Sequence, residues 1–208
     1  MKIRNPGYLV ILAILIIYAI LYAPGNNTEN VLLIQRMYSD FRSVNPLIFS
    51  TFNLLGVWTM VYAVLVLEEA ESQSFSVWPF ILLSFFMGGF SYLVYFSIRT
   101  PVFEKSEKTK LQKRIEKRQN MVILFLVGLF LVIYGIVYGD WVAFVESFWT
   151  SGLVHIMSID FLLISVLFPS FMKDDMIRRD DYSLSELSIL SVFSVIGALF
   201  YLNKRVSK

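Results

Sequence analysis

The chain has 208 residues, of which 57% are hydrophobic, 16% aromatic and 16% charged. Soluble domains carry about 25% charged residues, so this composition excludes an ordinary soluble fold. The net charge of +2 gives no nucleic-acid surface, the lack of cysteine excludes disulfides and thiolate sites, and the lone His155 cannot build a histidine metal cage.

Lys2 and Arg4 precede an apolar run from Gly7 to Ala23. The run is long for a signal peptide, and Ala23-Pro24-Gly25 is a poor cleavage site, so it reads as a retained first helix. Six stretches are long and apolar enough for transmembrane helices: 7–23, 47–67, 77–98, 120–138, 150–171 and 186–203. Backbone groups in lipid must be satisfied within the segment, and no stretch alternates with period two, so a helical bundle is expected rather than a barrel. The fold class is therefore an all-α membrane protein, a single domain over 1–208 with about six spans.

Between spans, 29–42 and 140–149 carry apolar residues at helical spacing beside charges, and fit short interfacial helices. In the second of these, Asp140 and Trp141 mark the outer interface as an aromatic anchor. The basic stretch 104–118 should extend a helix into the cytoplasm, serving as a topology signal and as a surface for anionic headgroups. If the six spans alternate, Arg36, Arg42, Lys173, Arg178, Arg179 and the basic stretch share one side. That side is then cytoplasmic, and both termini lie outside, in a bacterial inner membrane or a thylakoid.

Asp160, in the fifth stretch, is the one acidic or basic residue inside a span. A charge at that depth is costly, so it is either a transport, proton or ligand group or an interhelical hydrogen bond. Asn53, Thr59, Tyr92 and Tyr134 are its candidate partners. His155 lies five positions earlier, about 140° around the helix, and should face a different neighbour. Ser158 and Ser165 share the His155 stripe and suit helix packing. Ser84 with Gly88, and Gly128 with Gly135 and Gly139, are small-residue packing steps. After Pro169, Asp174 and Asp175 resemble a surface metal pair, but Arg178 and Arg179 sit at neutralising i,i+4 spacing. No nucleotide, metalloprotease or hydrolase motif is present, so no catalytic residue, metal or cofactor is assigned.

Phe52-Asn53-Leu54-Leu55-Gly56-Val57-Trp58, Val77-Trp78-Pro79-Phe80, Gly139-Asp140-Trp141 and His155-Ile156-Met157-Ser158-Ile159-Asp160-Phe161 form a recurring set with Leu167-Phe168-Pro169 and Asp174-Asp175-Met176. Together they resemble a family of small multi-pass membrane proteins found mainly in cyanobacteria and plastids, over about residues 46–180. The resemblance implies a membrane bundle and puts Asn53, Trp58, Asp140, Trp141, His155, Asp160, Asp174, Asp175 and Arg178 among motif positions, without implying an activity.

Three functions remain open on these residues. The first is a non-enzymatic assembly or interaction factor with a membrane-protein partner or a second copy. The second is a small proton- or cation-coupled transporter or channel subunit using Asp160 and His155. The third is a lipid-active enzyme.

Overall fold

The computed structural model describes residues 3–25, 27–104 and 108–207, and every regular element among them is helical. In order these are α1 (Pro6–Tyr22), α2 (Asn27–Ser39), α3 (Pro46–Glu69), α4 (Trp78–Met87), α5 (Gly89–Ile98) and α6 (Lys110–Ile115). There follow α7 (Arg118–Tyr138), α8 (Trp141–Thr150), α9 (Gly152–Arg178), α10 (Leu184–Val192) and α11 (Ser194–Ser207). Side-chain caps begin several of them: Asn45 accepts from the Leu47 amide, Asp140 from Ala143, Ser151 from Val154 and Ser183 from Glu186.

Three helices are long and apolar enough to cross a membrane: Pro46–Ser72 (α3 with its terminal turn), Arg118–Tyr138 and Gly152–Arg178. The exterior is apolar along much of its surface, with Ile14, Ile20, Phe86, Val142, Val166 and Val192 all exposed. Such a surface suits lipid.

The stretches 77–98 and 186–203 do not continue as single helices, in contrast to the six-span expectation. Each breaks at its middle and folds back on itself. In the first, Gly88 has φ +51°, and the two ten-residue arms α4 and α5 run antiparallel. The Ser91 hydroxyl donates to the Phe80 carbonyl at 2.8 Å, and the Tyr95 and Phe80 rings lie 5.7 Å apart. Where the arms end, Gln73 and Thr100 exchange two hydrogen bonds of 2.8 and 2.9 Å. A continuous helix would separate residues 80 and 91 by about 16 Å. In the second stretch Ser194 (φ +48°) forms the tip, Glu186 pairs with Lys204, and a Cβ at Gly197 would overlap the Leu190 carbonyl oxygen. Both are helical hairpins: three of the arms, of nine or ten residues, span about 14–15 Å, half the thickness of a bilayer core, and α11, of 14 residues, spans about 21 Å.

The two ends of the bundle are defined by contacts. At one, which we call the basic end, the Arg4 amide donates to Ser97 and Gln112 to Leu67, and Glu69 pairs with Arg99 and Arg178. At the far end Tyr18 meets His155, Asn30 meets Ser151, and Asn45 bonds the Asp140 backbone. Helices α1, α3, α7 and α9 connect the two ends. The hairpins α4–α5 and α10–α11 both start from the basic end and return to it.

In lipid, apolar helices gain little from merely being apolar, so close packing and interhelical hydrogen bonds hold such a bundle. Gly128 of α7 lies against Leu199 of α11, and Gly135 lies where a Cβ would sit 2.9 Å from Ser50 of α3. The Tyr62 hydroxyl donates to the Ile164 carbonyl at 2.8 Å, an interhelical bond of about 0.6 kcal/mol. Around it Trp58, Tyr92, Phe168 and Phe171 are buried in ring contact, with Tyr62 and Tyr92 stacked at 4.5 Å.

The segments 29–42 and 140–149 contain helices α2 and α8. The basic stretch departs from expectation. Of 104–118, residues 105–107 lie outside the described residues, and the helix runs only from Lys110 to Ile115, begun by a capping box at Thr109. It folds back on α3 through Gln112 instead of extending away from the bundle.

Candidate functional site

Asp160 sits on α9 at the tip of the first hairpin, 5% exposed. The Gly89 amide donates to its Oδ1 at 2.7 Å, so the carboxyl caps the N-terminus of α5. The positive end of a helix dipole and its unsatisfied amides favour an acidic group at that point. Gly88 passes directly over the carboxyl: a Cβ there would overlap Oδ2. The partner of Asp160 is therefore a backbone turn and none of the side chains expected for it.

Beside the tip lies a cavity of about 450 Å³, with Asp160, Asn53, Thr59, Ser84 and Gly88 in its walls. Its lining runs from Tyr38 and Leu153 at the far end to Phe86 at the hairpin tip, with Tyr38 78% and Phe86 89% exposed. Thr59 donates to the Ser84 carbonyl at 3.1 Å. The Ser84 hydroxyl lies 3.0 Å from Tyr92 OH, which donates to the Thr59 carbonyl. These bonds tie α3 to both hairpin arms at the cavity floor. Asn53 shares the cavity with Asp160, but its amide donates to the Phe49 carbonyl of its own helix at 2.8 Å. Tyr134 stacks with Phe130 at 5.8 Å on α7 and is not part of the lining.

His155 is 1% exposed and faces elsewhere. Its Nδ1 lies 2.9 Å from the Phe148 carbonyl and its Nε2 2.9 Å from Tyr18 OH. A carbonyl only accepts, so in the neutral ring Nδ1 carries the hydrogen and Nε2 accepts from Tyr18. His155 thus joins α1, α8 and α9. Ser158 donates to the Val154 carbonyl at 2.7 Å within α9. Asp140 caps α8 at 3.0 Å, and Trp141 is exposed beside it.

The cluster expected at the surface is largely interior. Asp175 is 0% and Arg178 2% exposed, and apart from a local i,i+3 contact between these two the ion pairs are tertiary, with none at i,i+4. Asp174 pairs with Arg99 at 2.5 Å, while Asp175 accepts from Arg205 at 2.9 Å and from Tyr201 at 2.5 Å. Arg178 reaches Glu69 at 2.8 Å and Asp175 at 3.5 Å, and donates to the Val102 carbonyl. Arg179 donates to the Arg205 carbonyl at 2.6 Å. Glu68 and Glu116 complete the network on Arg205. Each carboxylate is matched to a guanidinium or ammonium, and no group of three ligating side chains among the described residues could hold a metal. The sequence reading missed Glu69, Arg99 and Arg205 as network members. The one available signal was that each interrupts or ends an apolar run.

Burial opposes ionisation of Glu116, but the charges of Arg205 and Lys108 outweigh it and hold the carboxyl below the usual glutamate range. A depressed folded-state value means stability that is complete above the unfolded value, about pH 4.3, and is lost as pH falls through the lower folded one. Unfolding midpoints measured below about pH 4 should therefore fall less steeply for Glu116→Gln than for the unaltered chain. Parallel curves would show that the pair with Arg205 contributes no acid sensitivity.

Comparison with protein families, with curated proteins and with solved structures finds no match to the chain. The motif positions at Asn53, His155, Asp160 and Asp174 therefore acquire no role from a relative, and the site rests on its own geometry.

Proposed function

We propose that the chain is an integral membrane protein with four crossings (α1, α3, α7 and α9) and two re-entrant hairpins, and that it binds a small cation or a proton at Asp160 as a step in transport. The observation that carries this reading is the buried Asp160 carboxyl at a helix break, in the wall of a cavity. Acidic groups within a span mark ion or proton pathways by default, and interrupted helices whose termini meet at mid-membrane are the usual way transporters build such sites.

The hairpins also change the orientation. Because both return to the end they start from, only Arg36 and Arg42 among the described Lys and Arg residues lie at the far end. The positive-inside rule then puts the basic end in the cytoplasm with both termini, the reverse of the termini expected from six alternating spans. The end of the cavity lined by Tyr38 and Leu153 then faces away from the cytoplasm. Cysteine labelling is a clean test in a chain without native cysteine. Cysteines at Ser72 and Glu104 should both react from the cytoplasmic side; labelling from opposite sides would restore a full crossing at 77–98.

Asp160→Asn tests the site. An asparagine oxygen still accepts from Gly89, so the hairpin keeps its cap while the charge is gone. Proton and monovalent-cation flux in proteoliposomes should fall to the background of empty vesicles, with unchanged thermal unfolding. Undiminished flux, or none in the unaltered protein, would remove the transport reading. The assembly-factor reading rests on the apolar exterior, which a bilayer covers equally well. The lipid-enzyme reading rests on Asp174 and Asp175, which arginines already engage.

A further inference from the structure

A second cavity, about 270 Å³, lies on the outside of the first hairpin. Met60 and Leu67 of α3, Phe85 and Trp78 of α4, and Leu124 and Met121 of α7 line it. All three helices pass it in register: Leu67, Trp78 and Met121 lie toward the basic end, and Met60, Phe85 and Leu124 toward mid-bundle. From Met60 to Leu67 the groove runs about 10 Å along the axis. It exists because α4 is one arm of a hairpin, standing beside two full-length helices without a full-length helix of its own to fill the seam.

At its basic end the groove meets the junction of α6 and α7, where Ile115 and Asn120 form its rim. Lys113, Arg114, Lys117 and Arg118 lie within a few positions of these two in sequence; all four are exposed, and none is ion-paired with a carboxylate among the described residues. The nearest acid, Glu116, is already engaged by Lys108 and Arg205. Asn120, itself exposed, donates to the Arg114 and Ile115 carbonyls at 2.8 and 3.0 Å. Trp78, 43% exposed, stands at the same level, as tryptophans do at headgroup depth. The apolar furrow thus ends at a segment that carries four exposed cations, none of them ion-paired among the described residues.

We propose that this groove is a binding site for one anionic phospholipid, its acyl chain along α3, α4 and α7 and its phosphate against Lys113, Arg114, Lys117 and Arg118. Met60 and Phe85 line both this groove and the Asp160 cavity. The chain end of the lipid therefore abuts the hairpin whose tip holds Asp160, and an occupied groove braces α4 from the outside. The proposal rests on the membrane reading and on charge complementarity at the mouth, and it does not require that Asp160 transports anything.

The test uses the full chain, purified in detergent and supplied with mixed micelles of phosphatidylglycerol or phosphatidylcholine. Native mass spectrometry counts the lipid retained, and thermal unfolding is followed in parallel. One phosphatidylglycerol should be retained in preference to phosphatidylcholine. Each cation replaced in the series Lys113→Gln, Arg114→Gln, Lys117→Gln and Arg118→Gln should weaken that preference roughly fivefold. These side chains are exposed, so the variants fold. Ala63→Phe, which fills the groove from α3, should abolish retention of both lipids while leaving the cations in place. Equal retention of the two lipids by the unaltered chain overturns the proposal, as does a preference that survives the loss of all four charges. A chain that does not enter bilayers at all would instead sink the membrane reading beneath it.

Discussion

Replacing Gly88 with alanine should destabilise the protein by about 4 kcal/mol, a large share of the stability of an ordinary domain. Two independent effects combine. The backbone at Gly88 has φ +51° and ψ −130°, a region that residues with a side chain avoid, at about 1–3 kcal/mol. An added methyl would also overlap the Asp160 carboxyl, and a forced contact in a packed interior costs about 1–3 kcal/mol. Neither effect can relax without the other, because moving Asp160 aside uncaps Gly89. Gly56 supplies the control. It lies in the middle of α3 with no atom within 4 Å of the position a Cβ would take, so Gly56→Ala should be neutral or gain about 1 kcal/mol from helix propensity. Denaturant unfolding in detergent checks both. Equal effects at the two glycines would mean that the tip at Gly88 is not rigid.

The same glycine shows where the sequence can and cannot be read. The runs that became α3, α7 and α9 are continuous, uniformly apolar and long, and composition alone identifies them. A re-entrant hairpin of two ten-residue arms has the composition and length of one crossing, so 77–98 and 186–203 are indistinguishable from spans by hydropathy. What separates them is local. Gly88-Gly89 interrupts the first stretch, but a glycine beside Ser84 equally suits a small-residue packing face, the reading the spacing favoured. At the second, Ser194 adopts a positive φ, which serine rarely does, held in part by a 2.8 Å contact with the Ser165 hydroxyl. No pattern announces that. Counting each hairpin as a crossing also sets the orientation, because alternate counting carries the two basic termini to the side opposite the 104–118 stretch.

Asp160 is legible as a singular charge within an apolar run, which makes it a candidate. Its partner was not, since the partner is a backbone amide and every residue has one. The cluster at Asp174–Arg179 failed for a related reason. The i,i+4 rule describes a solvated helix face, whereas this end of α9 is surrounded by α3, α5 and α11, each bringing a charge of its own. Once Glu69, Arg99 and Arg205 are present, the local pairs are outcompeted by tertiary ones with better geometry. Sequence spacing sees only one helix at a time.

That network supports the second large effect. Glu69 is 0% exposed and accepts from Tyr95 OH at 2.8 Å, from Arg99 at 2.9 and 3.2 Å, and from Arg178 at 2.8 Å. Glu69→Gln keeps the shape and removes the charge, leaving two buried guanidinium groups short of an anion. Breaking one partner of a buried ionic set costs about 3–5 kcal/mol. The lower half of that range is expected here, because Arg99 keeps Asp174 and Arg178 keeps Asp175. The consequence should not be confined to α3. Arg99 ends the return arm of the first hairpin, and Asp175 links through Arg205 to the return arm of the second. Loosening Glu69 should therefore free both arms at the basic end while the tip at Asp160 keeps its cap. Hydrogen exchange would show faster opening in 92–98 than at Gly89. A double substitution with Asp175→Asn should be non-additive, with a coupling of about 1 kcal/mol or more, since both carboxylates share Arg178. Additive effects would mean that the two hairpins are anchored separately, each by its own arginine.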